Sequence, residues 1–210
     1  MIFEILIATS NPAKEKEIKD VVQKKIPRES DLKIFSLKDF ADPPKAKEDG
    51  SDFIENAFLK AKFYAEFFQK PTIADDGGLI IPYLNNEPGV KSRRWLGYEM
   101  SDEELIDVTL EKMKQAKNEE RKAYLKTVAG FYDPNLKIFL FAEAQISGYI
   151  ANEKHPVVIP GYPFRSIFKI EGLDKYYVEI LPEEDEKINH RRQAHSPVSY
   201  THLRAHETGR

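Results

Sequence analysis

The stretch IFEILIATSNPAKEKEIKDVV, residues 2–22, changes its period half-way. Residues 2–9 are almost all Ile, Leu, Phe and Ala, the pattern of a buried strand. Ser10, Asn11 and Pro12 then combine turn chemistry with a helix start. Ile18, Val21, Val22 and Ile26 recur at helical spacing, which predicts a helix from Ala13 to Lys25 with one apolar stripe. Strand, turn and helix in that order make an α/β unit.

The rest of the chain extends this reading. Leu32 to Leu37 suits a second strand, and Ala41 to Ser51, with Pro43, Pro44 and Gly50, is a loop. Ile54, Ala57, Phe58, Ala61, Ala65 and Phe68 give the strongest helical period, about Asp52 to Gln69. Thr72 to Ala74 reads as a short strand ending at Asp75-Asp76-Gly77-Gly78. Leu79 to Leu84 reads as a separate strand, irregular or at an edge because of Pro82. Ser101 and Glu104 have capping-box spacing ahead of a helix reaching about Lys117. Tyr124 to Tyr132 and Lys137 to Ile150 form an expected antiparallel pair. Pro182 opens an expected helix over 183–194. From His195 the chain loses its periodicity, and 195–210 is read as a disordered or foreign extension outside one domain of 1–194.

Composition removes several functions. Lys and Arg number 32 against 35 Asp and Glu, a formal charge of −3, which argues against a protein that coats nucleic acid. The absence of cysteine excludes a disulfide scaffold, a thiol nucleophile and a thiolate zinc site. No apolar run reaches the roughly 20 residues that span a bilayer. A cytoplasmic protein without membrane contact is expected.

Five groups of residues could carry chemistry. Thr9, Ser10, Asn11 and Lys14 close a strand and open a helix, where free N–H groups and the helix dipole attract anions. An ordinary N-cap would look the same. Asp75 and Asp76 offer hard oxygen ligands suited to Mg²⁺, and on a strand they point to opposite faces. Asp-Gly is equally a turn dipeptide. Glu48, Glu55 and Asn56 surround a helix start, where acids are favoured in any case. Lys91 to Trp95 (KSRRW) can bind phosphate and stack, or be an exposed basic loop. Asn189, His190, Arg191 and Arg192 set one histidine among arginines.

Taken in order, these segments resemble the inosine triphosphate pyrophosphatase family over about residues 2–194. The resemblance rests on Thr9-Ser10-Asn11-x-x-Lys14, on Phe53-x-Glu55-Asn56-Ala57 and on Ala74-Asp75-Asp76-Gly77-Gly78-Leu79. It continues in Pro88-Gly89-Val90-x-Ser92-x-Arg94-Trp95 and in Asn189-His190-Arg191. It implies a mixed twisted sheet flanked by helices, with two lobes about a central cleft, usually in a homodimer. It implies Mg²⁺-dependent hydrolysis of non-standard purine nucleoside triphosphates (dITP, ITP, XTP) to monophosphate and pyrophosphate. Asp76 and Lys14 would be catalytic, and Glu48 and Asp76 would hold the metal. Thr9, Ser10, Asn11, Lys14, Gly77, Ser92 and Arg94 would contact substrate, with Tyr162, Phe164, Arg165, His190 and Arg191 toward the base.

The departures from the family pattern are local. Gly77 stands where the family has serine. Arg165 replaces an acid in the base-pocket run Gly161 to Phe168, and Asp185 replaces a lysine five residues before His190. Two charges are thus reversed, and they compensate if Arg165 and Asp185 lie close together. An Arg165 aimed at the base would instead favour carbonyl-rich bases such as xanthine or uracil. Two other readings follow: a pyrophosphatase of the septum-inhibitor type with the same fold, and a nucleotide-binding protein without activity.

Overall fold

The computed structural model describes residues 3–25 and 32–207, with side chains for 4–25 and 32–199. Ile2, Ile26 and residues 208–210, which the sequence reading includes, lie outside that range.

The structure is an α/β fold on a mixed sheet. The strands are β1 (Phe3–Ile7), β2 (Leu32–Ser36), β3 (Thr72–Ile81), β4 (Glu87–Pro88), β5 (Lys122–Asp133), β6 (Ile138–Ile150) and β7 (Phe168–Ile170). Their order is β2-β1-β3-β5-β6-β7, with β4 on β3. β1 runs parallel to both β2 and β3, with Ile7 opposite Ser36 on one side and Ile73 on the other. β4 and β7 are antiparallel to their neighbours β3 and β6. The helices are α1 (Pro12–Lys25), α2 (Phe53–Phe68), α3 (Asp102–Lys112), α4 (Pro182–Ile188) and α5 (His190–Glu207).

The chain divides into two compact units. The first comprises 1–76, 127–144 and 191–210, and the second comprises 77–126 and 145–190. The first unit has two apolar clusters. Ile5, Ile7, Ile18, Val22, Ile73 and Phe131 form one, and Leu6, Ala61, Tyr64, Ala65 and Ala74 belong to the other. The alternation along β1 accounts for the division, since Leu6 faces away from Ile5 and Ile7. The second unit packs Leu79, Ile81, Leu105, Ile106, Met113, Ile167 and Phe168 in a single core.

Three expectations are corrected. Asp75-Asp76-Gly77-Gly78 is neither a turn nor a strand end: β3 runs through it without a break and stops only at Pro82. Turn propensity yields because the four residues lie inside a strand that the sheet places between β1 and β5. The helix expected over 183–194 is two helices, α4 and α5, divided at Asn189, which is extended with φ −64° and ψ 107°. The stretch from His195 is helical through Glu207, not disordered, and Ala194, His195, Val198 and Ser199 are buried.

Candidate functional site

In the first unit, β3 carries the two aspartates at its centre, and its pleat sends them to different partners. Asp75 is 1% exposed. Its Oδ2 meets the Lys14 Nζ at 3.1 Å and the Arg191 Nε at 3.1 Å. Arg191 Nη1 lies a further 3.6 Å from Glu17 Oε2. Burial opposes a charge on Asp75, but Lys14 and Arg191 hold its carboxyl well below the usual range. Burial also pushes the Lys14 ammonium down, against the pull of Asp75.

Asp76 faces α2. Its Oδ2 accepts from Asn56 Nδ2 at 2.9 Å. Asn56 is fixed in turn because its Oδ1 accepts from the Gly50 N–H at 2.8 Å. A Cβ on Gly50 would lie 2.8 Å from that same oxygen, so the close approach requires glycine. One turn along α2, Lys60 Nζ donates to the Asp75 carbonyl at 3.0 Å and meets Glu48 Oε2 at 2.5 Å. Burial raises the Asp76 carboxyl above its ordinary value; Lys60, Lys14 and Asn56 resist the rise, and the Glu48 charge adds to it. Lys60 stays raised despite burial, because Glu48, Asp76 and Asp75 all favour its charge.

The strand-to-helix turn is organised by its own side chains. Asn11 Oδ1 caps α1, accepting from the Ala13 and Lys14 N–H groups at 2.9 and 3.3 Å. Thr9 Oγ1 accepts from the Asn11 N–H at 3.2 Å, and Ser10 is exposed. The cap leaves the Lys14 side chain reaching across to Asp75.

Glu48 and Asp76 are the residues suited to a metal. Asp76 is half-buried and the Glu48 charge acts on it, so a bound cation would offset that repulsion. Among the described residues no group of three or more His, Asp and Glu could hold a metal ion. Two carboxylates completed by phosphate oxygens is, however, the usual arrangement for Mg²⁺.

The second unit holds the other expected residues. Ser92 Oγ donates to the Gly89 carbonyl at 2.8 Å, and Arg94 is exposed. Arg93 pairs with Asp102 at 2.6 Å, and Asp102 also accepts from the Gly161 N–H at 2.6 Å. Trp95 donates to Glu87 at 3.0 Å. Phe164 is a core side chain, whereas Tyr162 is half-buried. His190 is 4% exposed, with its ring 6.2 Å from that of Tyr177. Arg165 and Asp185 do lie close, with Nη1 4.0 Å from Oδ1.

The model of the Ham1 family matches residues 5–199. The chain belongs to the Ham1 family. A Ham1 relative, the dITP/XTP pyrophosphatase of Legionella pneumophila, is 43% identical over 196 residues, covering 91% of this chain and 94% of the relative. The protein of that name from Bacillus subtilis is 35% identical, covering 93% and 95%. The solved structure of the Staphylococcus aureus Ham1 protein matches with TM-score 0.79 at 30% identity, over 97% of this chain and 99% of that one. The Ham1 match reaches Ser199, past the boundary at 194 read from the sequence, in keeping with the burial of Val198 and Ser199.

Within this Ham1 chain, sequence reasoning missed Lys60 and Gly50. A signal for Lys60 was present: it shares a helix face with Asn56, Ala57, Ala61 and Tyr64, all buried. A lysine within an apolar stripe has to meet an acid. Gly50 left no signal beyond its place in a loop, because its role depends on where Asn56 points.

Proposed function

We propose that this chain hydrolyses non-standard purine nucleoside triphosphates (dITP, ITP or XTP) to the monophosphate and pyrophosphate, with Mg²⁺. The observation that carries the proposal is the convergence of Lys14, Lys60, Glu48, Asn56 and Asp76 around the middle of β3. Lys14 and Lys60 offset the negative charge of the triphosphate, and Thr9, Ser10 and Asn11 present the strand-to-helix turn to it. Bound Mg²⁺ would be held by Glu48 and Asp76 and would supply charge neutralisation at the phosphates. Asp76 accepts the proton of a water that attacks the α-phosphorus. The bond from that phosphorus to the bridging oxygen breaks, and pyrophosphate leaves. Phosphoryl chemistry asks mainly for this positioning and charge neutralisation, with no covalent intermediate. Asn56 keeps the Asp76 carboxyl aimed, and Asp75 orients Lys14 and Arg191.

Gly77, Ser92 and Arg94 complete the proposed substrate contacts. His190, Arg191, Tyr162 and Phe164 are the proposed base-facing groups. The same reading carries a homodimer and a cytoplasmic role in cleansing the nucleotide pool. Among the described residues no helix is long and apolar enough to cross a membrane.

The test is pyrophosphate release from a panel of ITP, dITP, XTP, ATP, GTP and UTP, with and without a chelator. ITP, dITP or XTP should be cleaved with the highest kcat/KM, and chelation should abolish turnover. Release from none of them would leave a binding protein, and a preference for UTP would favour the septum-inhibitor type.

A further inference from the structure

Arg165 does not stand alone in the second unit. Its guanidinium carbon lies 4.2 Å from the centroid of the Tyr162 ring and 4.5 Å from that of Tyr177. A planar cation between two aromatic faces is held by both. Its Nη1 faces Asp185 at 4.0 Å, a charge contact rather than a hydrogen bond, and its side chain is only 11% exposed. Both Asp185 oxygens accept from Asn189 Nδ2, each at 3.1 Å. Asn189 is fully buried and is the residue at which α4 ends, one before His190. The Tyr177 ring that stacks on Arg165 is also the ring beside His190. Two routes therefore run from Arg165 to His190, one through Asp185 and Asn189 and the other through Tyr177.

We propose that Arg165 is a positioning residue that sets the His190 corner through Asp185 and Tyr177 and so governs base selectivity without contacting the base. The inference rests on the function proposed above. The reversed charges at 165 and 185 form one unit, and selectivity depends on the pair being opposite in sign rather than on which member is positive. Arg165 then supplies no new donor to a base, and the preference for xanthine or uracil that an outward-facing arginine would give is not expected.

The experiment compares wild type with Arg165→Asp, Asp185→Arg and the double charge swap, using ITP and ATP. Each single change should lower the ratio of kcat/KM for ITP over ATP by about tenfold, acting through KM. The swap should restore that ratio to within about threefold of wild type. Asp185→Asn and Arg165→Lys, both milder, should each give an intermediate loss, and they keep the test readable if a reversal fails to fold. A ratio unchanged by all the single variants would overturn the proposal. So would a swap no better than its worse parent, since Arg165 would then be acting on the base directly. Long-range ¹H–¹⁵N spectra of the His190 imidazole, assigned with His190→Gln, give a readout independent of turnover. The ring signals should move in the single variants and return in the swap. If wild type cleaves no triphosphate yet these shifts appear, the functional proposal has failed and the positioning relay stands.

Discussion

Asp76 and Lys14 are both charged groups at β3, but their surroundings give them different sensitivities. Asp76→Asn keeps size and hydrogen-bonding capacity while removing the charge, so Asn56 can still pair with it. We expect a fall in kcat of about 10² or more with little change in melting temperature. Steady-state kinetics on ITP beside a thermal melt checks this, and near-normal turnover would remove Asp76 from the chemistry. Lys14→Ala differs because it strips one of two cations from a carboxyl that is 1% exposed. Arg191 remains on Asp75, so the cost should fall below that of a fully orphaned buried charge, about 1–3 kcal/mol, together with a raised KM. A variant with wild-type stability would show that Arg191 alone satisfies Asp75. These residues stood out in the sequence because a strand leading toward Thr-Ser-Asn and a doubled aspartate are short-range patterns. Gly50 was hidden because its role depends on where Asn56 points, and the place of Lys60 in an apolar stripe did not name its partners, Glu48 and Asp75.

Elements were less legible wherever tertiary pairing overruled local chemistry. The Asp-Gly signal in β3 lost to the strand's place between β1 and β5, and the single helical pattern over 183–194 concealed the break at Asn189, whose side chain is tied back to Asp185. Elements with caps written into the sequence fared better. Asp52 caps α2 by accepting from the Glu55 N–H at 2.8 Å, and Ser101 and Glu104 form the expected box on α3. A residue that sequence reading passed over ties elements of the second unit together. Arg121, 9% exposed, donates to the Met113 and Ala116 carbonyls after α3 and to the Ile150 and Ala151 carbonyls at the end of β6. Carbonyls at a helix end carry partial negative charge and want donors. Arg121→Met keeps much of the stem but removes a donor from four carbonyls, so it should cost about 2–4 kcal/mol, read as a drop in urea midpoint. A midpoint within experimental scatter of wild type would mean that water replaces all four donors.

At the scale of the whole molecule, the end of the chain controls stability in a way its composition conceals. No apolar stripe marks 195–210, yet Ala194 and Val198 join the cluster of Ile5, Ile7 and Ile18. Ending the chain at residue 194 should therefore lower the melting temperature by several degrees, because it removes helical packing from that core. His195 is the weak point of the same helix. It is fully buried, and neither ring nitrogen has a hydrogen-bond partner among the described residues. Burial depresses its pKa from 6.5 to about 4, with Asp75 and Glu17 favouring the proton and Arg191 and Lys14 opposing it. The unfolded chain thus takes up a proton below pH 6.5 while the folded one does not until about pH 4. More protons on the unfolded state mean that stability rises with pH across this window and is flat above it. The span corresponds to roughly 3 kcal/mol. Asp75, held below its ordinary 3.8, loses its contribution only at lower pH, so the two effects separate. His195→Leu replaces an unsatisfied imidazole with an apolar side chain of similar reach, and it should raise the melting temperature at every pH. It should also flatten the stability profile between pH 4 and 6.5. Denaturant melts of both proteins at half-unit pH steps decide the matter, and a variant whose profile keeps the slope of wild type would place the titrating group elsewhere.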